Sequence, residues 1–418
     1  MLYLCVIWLV VEIFFWFNIK IKINNLNKIN YQNDKKNKDK SNTILKTLDI
    51  ISNLKSYSVN KFLEGFFLLD TNCSIYNIND IKYDNMVSFL AWACFNKNSN
   101  EISINQKNKI IETIQTINDK YNITFKEGYN ENINHAKMTL EPINYIHQPF
   151  ILYVIYWLLH KLFDTVLYIM GYRRYSCNGY NYLYKHSYNN CNNKSSTVNI
   201  PIVFFHGISS GWYPYYLFIK QFNKNKSVIL FEVDPYRIGS LDFSEVNPVN
   251  ICNTLNEILN RYNYQKCDII DHSFGTITAS WFTKYYPEKI NKLVLIDVIS
   301  ILLSLPEVVH NFLYKKPLTL FHKIISISAA KEVTIAHSLH RNFNWYDNIL
   351  WLEDIPESVE LVVSVSHGDE IIPTKSIIEY LEGKNVIVWD DFSHLQSVST
   401  SSIAINEIHK QINNEINN

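Results

Sequence analysis

Glycine and proline are scarce, at ten and eleven in 418 residues, about 5% together where a typical chain carries roughly 12%. Collagen-like repeats and Gly/Pro-rich disorder are thereby excluded, and each glycine is worth reading individually. An excess of one charge is missing as well. Lys and Arg number 39 and Asp and Glu 39, so the basic surplus of a nucleic-acid-binding domain is absent and no nucleic-acid partner is expected. The seven cysteines at 5, 73, 94, 177, 191, 252 and 267 form no CxxC pair, which gives neither a zinc ribbon nor a disulfide framework. Free thiols in a reducing compartment are expected. Apolar residues, by contrast, make up 47% of the chain, enough for the core of one large domain with appendages or of two modest ones.

The chain opens on an apolar run from Met1 to Phe17, interrupted only by Glu12. As a helix it reaches roughly 25 Å, slightly short of a hydrocarbon core of about 30 Å. It lacks the basic start and the small-residue cleavage site of a secretory signal. The expectation is an uncleaved single-pass membrane anchor over 1–19, with a buried helix or a secretory signal as the alternatives. Lys20, Lys22 and Lys28 follow it, so the positive-inside rule keeps the body cytosolic. Residues 20–42, rich in Asn and Lys, read as a disordered tether. From 43 to 175 a helical N-terminal region is expected, on spacings such as Ile44, Leu45, Leu48, Ile51 and Met86, Phe89, Leu90. Within it the apolar stretch 150–171 is broken by His160, Lys161 and Asp164, which suits an interfacial helix or a buried one joining two domains. Residues 176–198 read as a polar linker.

After Val198 the pattern changes. Short β-branched runs at 200–205, 227–233, 267–270, 292–296, 361–365 and 385–389 alternate with helix-period segments. That predicts an α/β fold, a mainly parallel sheet with helices on both faces, whose chemistry collects at the carboxyl ends of the strands. The run 267–270 leads into Asp271-His272-Ser273-Phe274-Gly275. A serine on a tight strand-to-helix turn projects its hydroxyl beside the positive end of the helix. Asp271 departs from the small residue usual at the first position of G-x-S-x-G, and its carboxylate must turn outward or find a partner.

A serine hydroxyl is a weak nucleophile until a histidine takes its proton and a carboxylate fixes that imidazole. Asp369 follows the run 361–365 and His394 the run 385–389, so Ser273, Asp369 and His394 are the expected catalytic set. Acyl transfer also requires two N–H donors for the oxyanion. The backbone of Phe274 and, in the loop after 200–205, of Ile208 supply them, with His206, Gly207 and Gly275 as supporting positions. Asp297 is the reserve acid. His272 adjoins the nucleophile but points differently, His367 is too close to Asp369 along the chain, and Asp390 and Asp391 occupy the wrong loop. His337 and His340 stand three apart without a third ligand at matching spacing, so no metal is expected.

His206-Gly207, the segment 271–275, His367-Gly368-Asp369 with Pro373, and His394 resemble the α/β-hydrolase superfamily across 198–410. Phe89-Leu-Ala-Trp-Ala93, His147-Gln-Pro149, Leu303 to Tyr314 and Asn348-Ile-Leu-Trp351 are similar to a group of membrane-associated α/β hydrolases from fungi, algae and protists. The superfamily resemblance implies hydrolysis of esters, thioesters, amides or lipids without metal or organic cofactor, and a core of 198–301 and 357–418. Residues 302–356, helical in period and rich in aromatics, resemble a lid over the site. Together with the anchor they favour a lipophilic ester as the partner, cleaved by a membrane-tethered serine hydrolase. An acyltransferase using the same residues, or a binding protein that kept the fold and lost turnover, are the alternatives.

Overall fold

The computed structural model describes residues 2–28, 39–69, 77–187, 200–317, 323, 325–343 and 345–413. Helix α1, Leu2–Lys28, does not stop at Phe17. Ile19, Ile23 and Leu26, spaced as one helical face, bury against Ile143, Val333 and Ala336. The tether expected from position 20 is therefore helix to Lys28, because this apolar stripe runs through the Asn and Lys residues. Positions 29–38 of that tether lie outside the described residues.

The N-terminal region holds α2 (Ser41–Ser52), α3 (Val59–Gly65), α4 (Tyr83–Phe95) and α5 (Ile104–Tyr121). A small antiparallel pair, β1 (Phe67–Leu69) with β2 (Ile133–His135), joins them. Their apolar faces merge with the sheet's core in one continuous cluster. Next comes α6, Phe150–Ile169, whose buried positions include Tyr153, His160 and Leu167.

The main sheet has eight strands. They are β3 (Arg173–Cys177), β4 (Tyr180–Lys185), β5 (Ile202–Phe205), β6 (Val228–Phe231), β7 (Cys267–His272), β8 (Ile290–Ile296), β9 (Glu360–Ser366) and β10 (Asn385–Trp389). Their order is β3-β4-β6-β5-β7-β8-β9-β10. From β6 to β10 every pairing is parallel, and β3 and β4 run antiparallel at one edge. This is the α/β-hydrolase fold. All six expected strands are present.

The hairpin β3–β4 corrects the reading of 176–198 as a polar linker. Asn178 and Gly179 turn it with φ of 49° and 84°, the left-handed pair a two-residue hairpin needs. The remainder of that stretch, from 188, lies outside the described residues, as do Cys73 and Cys191. Cys5, Cys94, Cys177, Cys252 and Cys267 are free thiols.

Every residue of β5 and β6 is buried, as a parallel sheet covered on both faces requires. Alternate side chains face two cores. Val203, Phe205, Ile229 and Phe231 pack with α7 (Pro248–Arg261) and α8 (Gly275–Tyr285). Ile202, Phe204, Val228 and Leu230 pack with Phe218 and with Ile405, Ile408 and Ile412 of the C-terminal helix. The covered sheet leaves its loops at the carboxyl edge as the place for a site.

Candidate active site

β7 ends in a turn whose central residue, Ser273, has φ +55°, a left-handed conformation that costs a non-glycine residue about 1–2 kcal/mol. The surroundings over-determine it. Ser273 N–H donates to the Ile296 carbonyl at 2.9 Å, and its own carbonyl accepts from Thr276 N–H at 3.0 Å and Thr276 Oγ1 at 2.6 Å. Thr276 Oγ1 also accepts from the N–H groups of Ile299 and Ser300, tying the elbow to the loop after β8.

Gly275 lets α8 start against β5. A Cβ there would lie 2.5 Å from the Phe205 carbonyl oxygen and 3.0 Å from that of His206, and backbone cannot yield cheaply. We expect Gly275→Ala to lower stability by about 3 kcal/mol or more, read as a fall in Tm. An unchanged Tm would show that the helix can move away from the strand.

His394 bridges the loops. Its Nε2 is 2.7 Å from Ser273 Oγ and its Nδ1 is 2.7 Å from Asp369 Oδ2. The expected catalytic three thus meet at the carboxyl ends of β7, β9 and β10. Asp369 Oδ1 accepts the N–H groups of Ile371 and Ile372, fixing the carboxylate's direction. Burial lowers the His394 pKa, but the charge and hydrogen bond of Asp369, with Asp297 behind it, outweigh that and raise it to about 9.

Asp297, the reserve acid, has a different place. It is fully buried, with φ +45°. Its Oδ2 accepts the Leu395 N–H at 3.0 Å and lies 3.3 Å from His272 Nε2, while its Oδ1 accepts the Ser366 hydroxyl at 3.2 Å. A carboxylate only accepts, so His272 Nε2 carries the proton and Nδ1 accepts from Tyr215 Oη at 3.1 Å. Tyr215 Oη in turn accepts the Gly207 N–H at 2.9 Å. Burial, reinforced by the His394 charge, lowers the His272 pKa despite Asp297.

One buried carboxylate therefore links the elbow, the loop after β5, the end of β9 and the residue following His394. Tyr215, Ser366 and Leu395 escaped the sequence reading. None has a neighbouring motif, and only the fold converges them on Asp297.

Asp271 also finds a partner. It is buried, and its Oδ1 accepts the Phe205 N–H at 3.1 Å, at the end of the β5–β7 ladder. Burial raises its pKa well above the ordinary carboxylate value, opposed only by that one hydrogen bond, and its Oδ2 is buried without a hydrogen-bond partner among the described residues.

His206 is buried too. Its Nδ1–H donates to the Gly207 carbonyl at 2.7 Å and its ring meets Trp212 edge-on at 5.2 Å. Gly207 has Ser273 Cβ and the His272 carbonyl within 3.0 Å of where a Cβ would stand, which brings the Ile208 backbone close to the nucleophile. Neither Ile208 nor Phe274 has a hydrogen-bond partner for its backbone N–H among the described residues. Both line the cavity that holds Ser273 and His394.

That cavity measures about 350 Å³. Phe66, Trp92 and Met138 from the N-terminal region close one side, a contribution the sequence did not reveal, and Leu303, Phe312, Phe343 and Trp345 from the segment 302–356 close another. The aromatics of that segment divide by role. Tyr314 instead donates to Glu141 at 2.8 Å, and Tyr346 and Trp351 receive the ammonium groups of Lys40 and Lys46 on their rings. Phe321 lies outside the described residues.

His337 and His340 are buried, the latter with Nδ1–H donating to the Ala336 carbonyl. His367 faces Asp390 at 3.7 Å and not the cavity. A cluster of His160, Asp164 and Glu232 is spanned by Arg174, which pairs with both carboxylates at 2.6 Å.

No family model matches the chain, and no curated protein matches its sequence. Solved structures with a similar fold include a bacterial membrane phospholipase A, at 12% identity over 64% of this chain and 94% of that one, TM-score 0.44. An esterase from Thermogutta terrifontis shares 14% identity over 58% and 98%, TM-score 0.43. An epoxide hydrolase from Vigna radiata shares 13% over 58% and 97%, TM-score 0.39. By the strand order and pairing of its own sheet, the chain has the α/β-hydrolase fold.

Proposed function

We propose that the chain is a serine hydrolase that cleaves a carboxylic ester with an apolar acyl part through an acyl-enzyme, at a membrane it reaches through α1. The observation that carries this reading is His394, within 2.7 Å of Ser273 Oγ on one ring nitrogen and of Asp369 on the other. In the neutral ring the serine hydroxyl donates to Nε2. As Ser273 Oγ attacks the acyl carbon, Nε2 takes that proton while Asp369 holds Nδ1–H and steadies the imidazolium. The backbone N–H groups of Phe274 and Ile208 receive the oxyanion. The proton on Nε2 then passes to the leaving alkoxide, and a water activated by the same nitrogen releases the acid. Ser273 at the nucleophile position argues against the carboxylate chemistry of an epoxide hydrolase, and the apolar lining favours a lipid-like acyl chain over a charged one.

Labelling with a fluorophosphonate, followed by peptide mapping, tests the reading. The adduct is expected on Ser273, and p-nitrophenyl esters of rising chain length are expected to be hydrolysed with a preference above acetate. Labelling elsewhere, or a stable protein that neither labels nor turns over any ester, would leave only a binding protein with this fold.

A further inference from the structure

Two apolar helices lie on the outside of the fold and meet at one point. On α1 the bulky side chains of Leu4, Ile7 and Phe14 are exposed, and on α6 those of Trp157, Leu158 and Leu162. Exposure of this extent on two adjoining elements marks an interaction surface. They touch where α6 begins. Phe150 packs 6.0 Å from Trp8 and 5.2 Å from Phe15, Tyr153 packs 5.1 Å from Phe15, and Glu12 Oε2 accepts the Phe150 N–H at 2.9 Å.

This contact limits how α1 can enter a membrane. Trp8, Glu12 and Phe15, which hold the start of α6, lie within the apolar run that a crossing would have to use. On the other side of the contact, Ile19, Ile23 and Leu26 are already committed to the body. Crossing some 30 Å of hydrocarbon would carry the start of α6 and its neighbours through the bilayer, whereas one leaflet offers about 15 Å. The polar ends agree with that depth. Lys20 sits 4.7 Å over the Trp16 ring and Arg173 3.9 Å over the Tyr168 ring, pairing cation and aromatic as at a headgroup boundary. Lys20, Lys22 and Lys28 accompany Glu12 on α1, and Lys161, Arg173 and Arg174 accompany Asp164 near α6. α1 is therefore net basic, and although α6 itself balances Lys161 against Asp164 and Arg174 is paired with Asp164 and Glu232, Arg173 at its end adds a positive charge, so the face they share complements anionic lipid.

We infer that α1 and α6 together form a docking face for one leaflet of an anionic bilayer, in place of a single-pass anchor, and that the site draws its ester from that leaflet. The second clause rests on the hydrolase reading above. It follows from Phe163 of α6, which packs 5.1 Å from Tyr213. Tyr213 is 52% exposed and lines the cavity of Ser273. On the other flank Gln148, just before α6, donates to the Ile327 carbonyl at 2.7 Å, between the cavity-lining residues Ser326 and Ser328. The mouth thus adjoins the docking face, and an acyl chain need not cross water to enter.

Nitroxide labels at Ile7, Leu158 and Leu162 of the full chain, reconstituted on phosphatidylcholine vesicles with and without phosphatidylglycerol, test this. All three are expected to be open to oxygen, shielded from a water-soluble nickel reagent, and no deeper than the bilayer midplane, with tighter binding when phosphatidylglycerol is present. Water-exposed labels on α6 beside an immersed Ile7, or an Ile7 label past the midplane, would restore a crossing anchor and overturn the inference. Binding indifferent to phosphatidylglycerol would overturn the anionic preference. The double variant Leu158→Glu, Leu162→Glu is expected to weaken vesicle binding and hydrolysis of a vesicle-borne ester roughly 100-fold while hydrolysis of a soluble short ester is unchanged. Equal hydrolysis of the vesicle ester by both proteins would refute leaflet access. A wild type inactive on the soluble ester would strike the hydrolase reading, and the label depths would still decide the docking face.

Discussion

Replacing Ser273 with alanine lowers kcat for a chromogenic ester by an expected 10⁴- to 10⁶-fold, on the order seen when a serine of such a set is removed. The fold should survive. The change deletes one oxygen, and the turn's hydrogen bonds run through the backbone of Ser273 and through Thr276. His394→Ala is expected to cost about as much, and the double variant little more than either, because attack and proton transfer are one event. What residual rate persists would come from the backbone donors of Phe274 and Ile208 acting on water. Circular dichroism and Tm separate loss of chemistry from loss of structure. Retention of more than a tenth of the activity by a folded Ser273→Ala protein would place the nucleophile elsewhere.

The parts of the site that could be read from the sequence are those whose spacing follows from the strand period. Ser273, Asp369 and His394 each stand a few residues beyond a β-branched run, and a parallel sheet puts the ends of such runs on one rim. Three-dimensional neighbours without a local signature were not legible. Tyr215 reaches His272 across 57 residues and Asp297 reaches Leu395 across 98, and no pattern within a window of helix or strand length encodes either. Phe66, Trp92 and Met138 belong to elements that look like an independent helical region, and only packing reveals them as cavity wall.

Where a local signal existed it was sometimes outweighed. Asn178-Gly179 between tyrosine-bearing runs announces a hairpin, but the surrounding Asn and Ser residues suggest a linker. At the N-terminus composition again conceals period, since Asn and Lys between Ile19 and Leu26 mask a stripe that faces the body.

The two buried carboxylates near His394 should separate cleanly. The oxygens of Asp297 and Asp369 and a ring nitrogen of His394 lie within 4.8 Å of one another, but only Asp369 receives Nδ1–H. Asp369→Asn presents an amide that can favour the wrong tautomer, and kcat is expected to fall about 10⁴-fold.

Asp297→Asn keeps the shape. Its carbonyl oxygen can still accept from Leu395 N–H and His272 Nε2–H, and its NH₂ can donate to Ser366 Oγ, a hydroxyl able to reverse its role. What vanishes is a negative charge that helps hold His394 at about 9. Removing it disfavours the imidazolium, so the pKa falls. The acid limb of kcat/KM, which reports the free enzyme's base, moves to lower pH, and the fraction of plateau activity available at pH 7 rises.

The same charge affects stability with a definite sign. A histidine raised in the folded state contributes stability that is fully present below its unfolded value of about 6.5 and is lost as pH rises through about 9. The Asp297→Asn protein should therefore show a flatter fall of Tm over that window than the wild type. Asp297→Ala, which also releases Leu395 and His272, should lose rate at every pH. An Asp297→Asn profile that superimposes on the wild type would mean that the carboxylate holds the loops by hydrogen bonding alone and that Asp369 by itself sets the base.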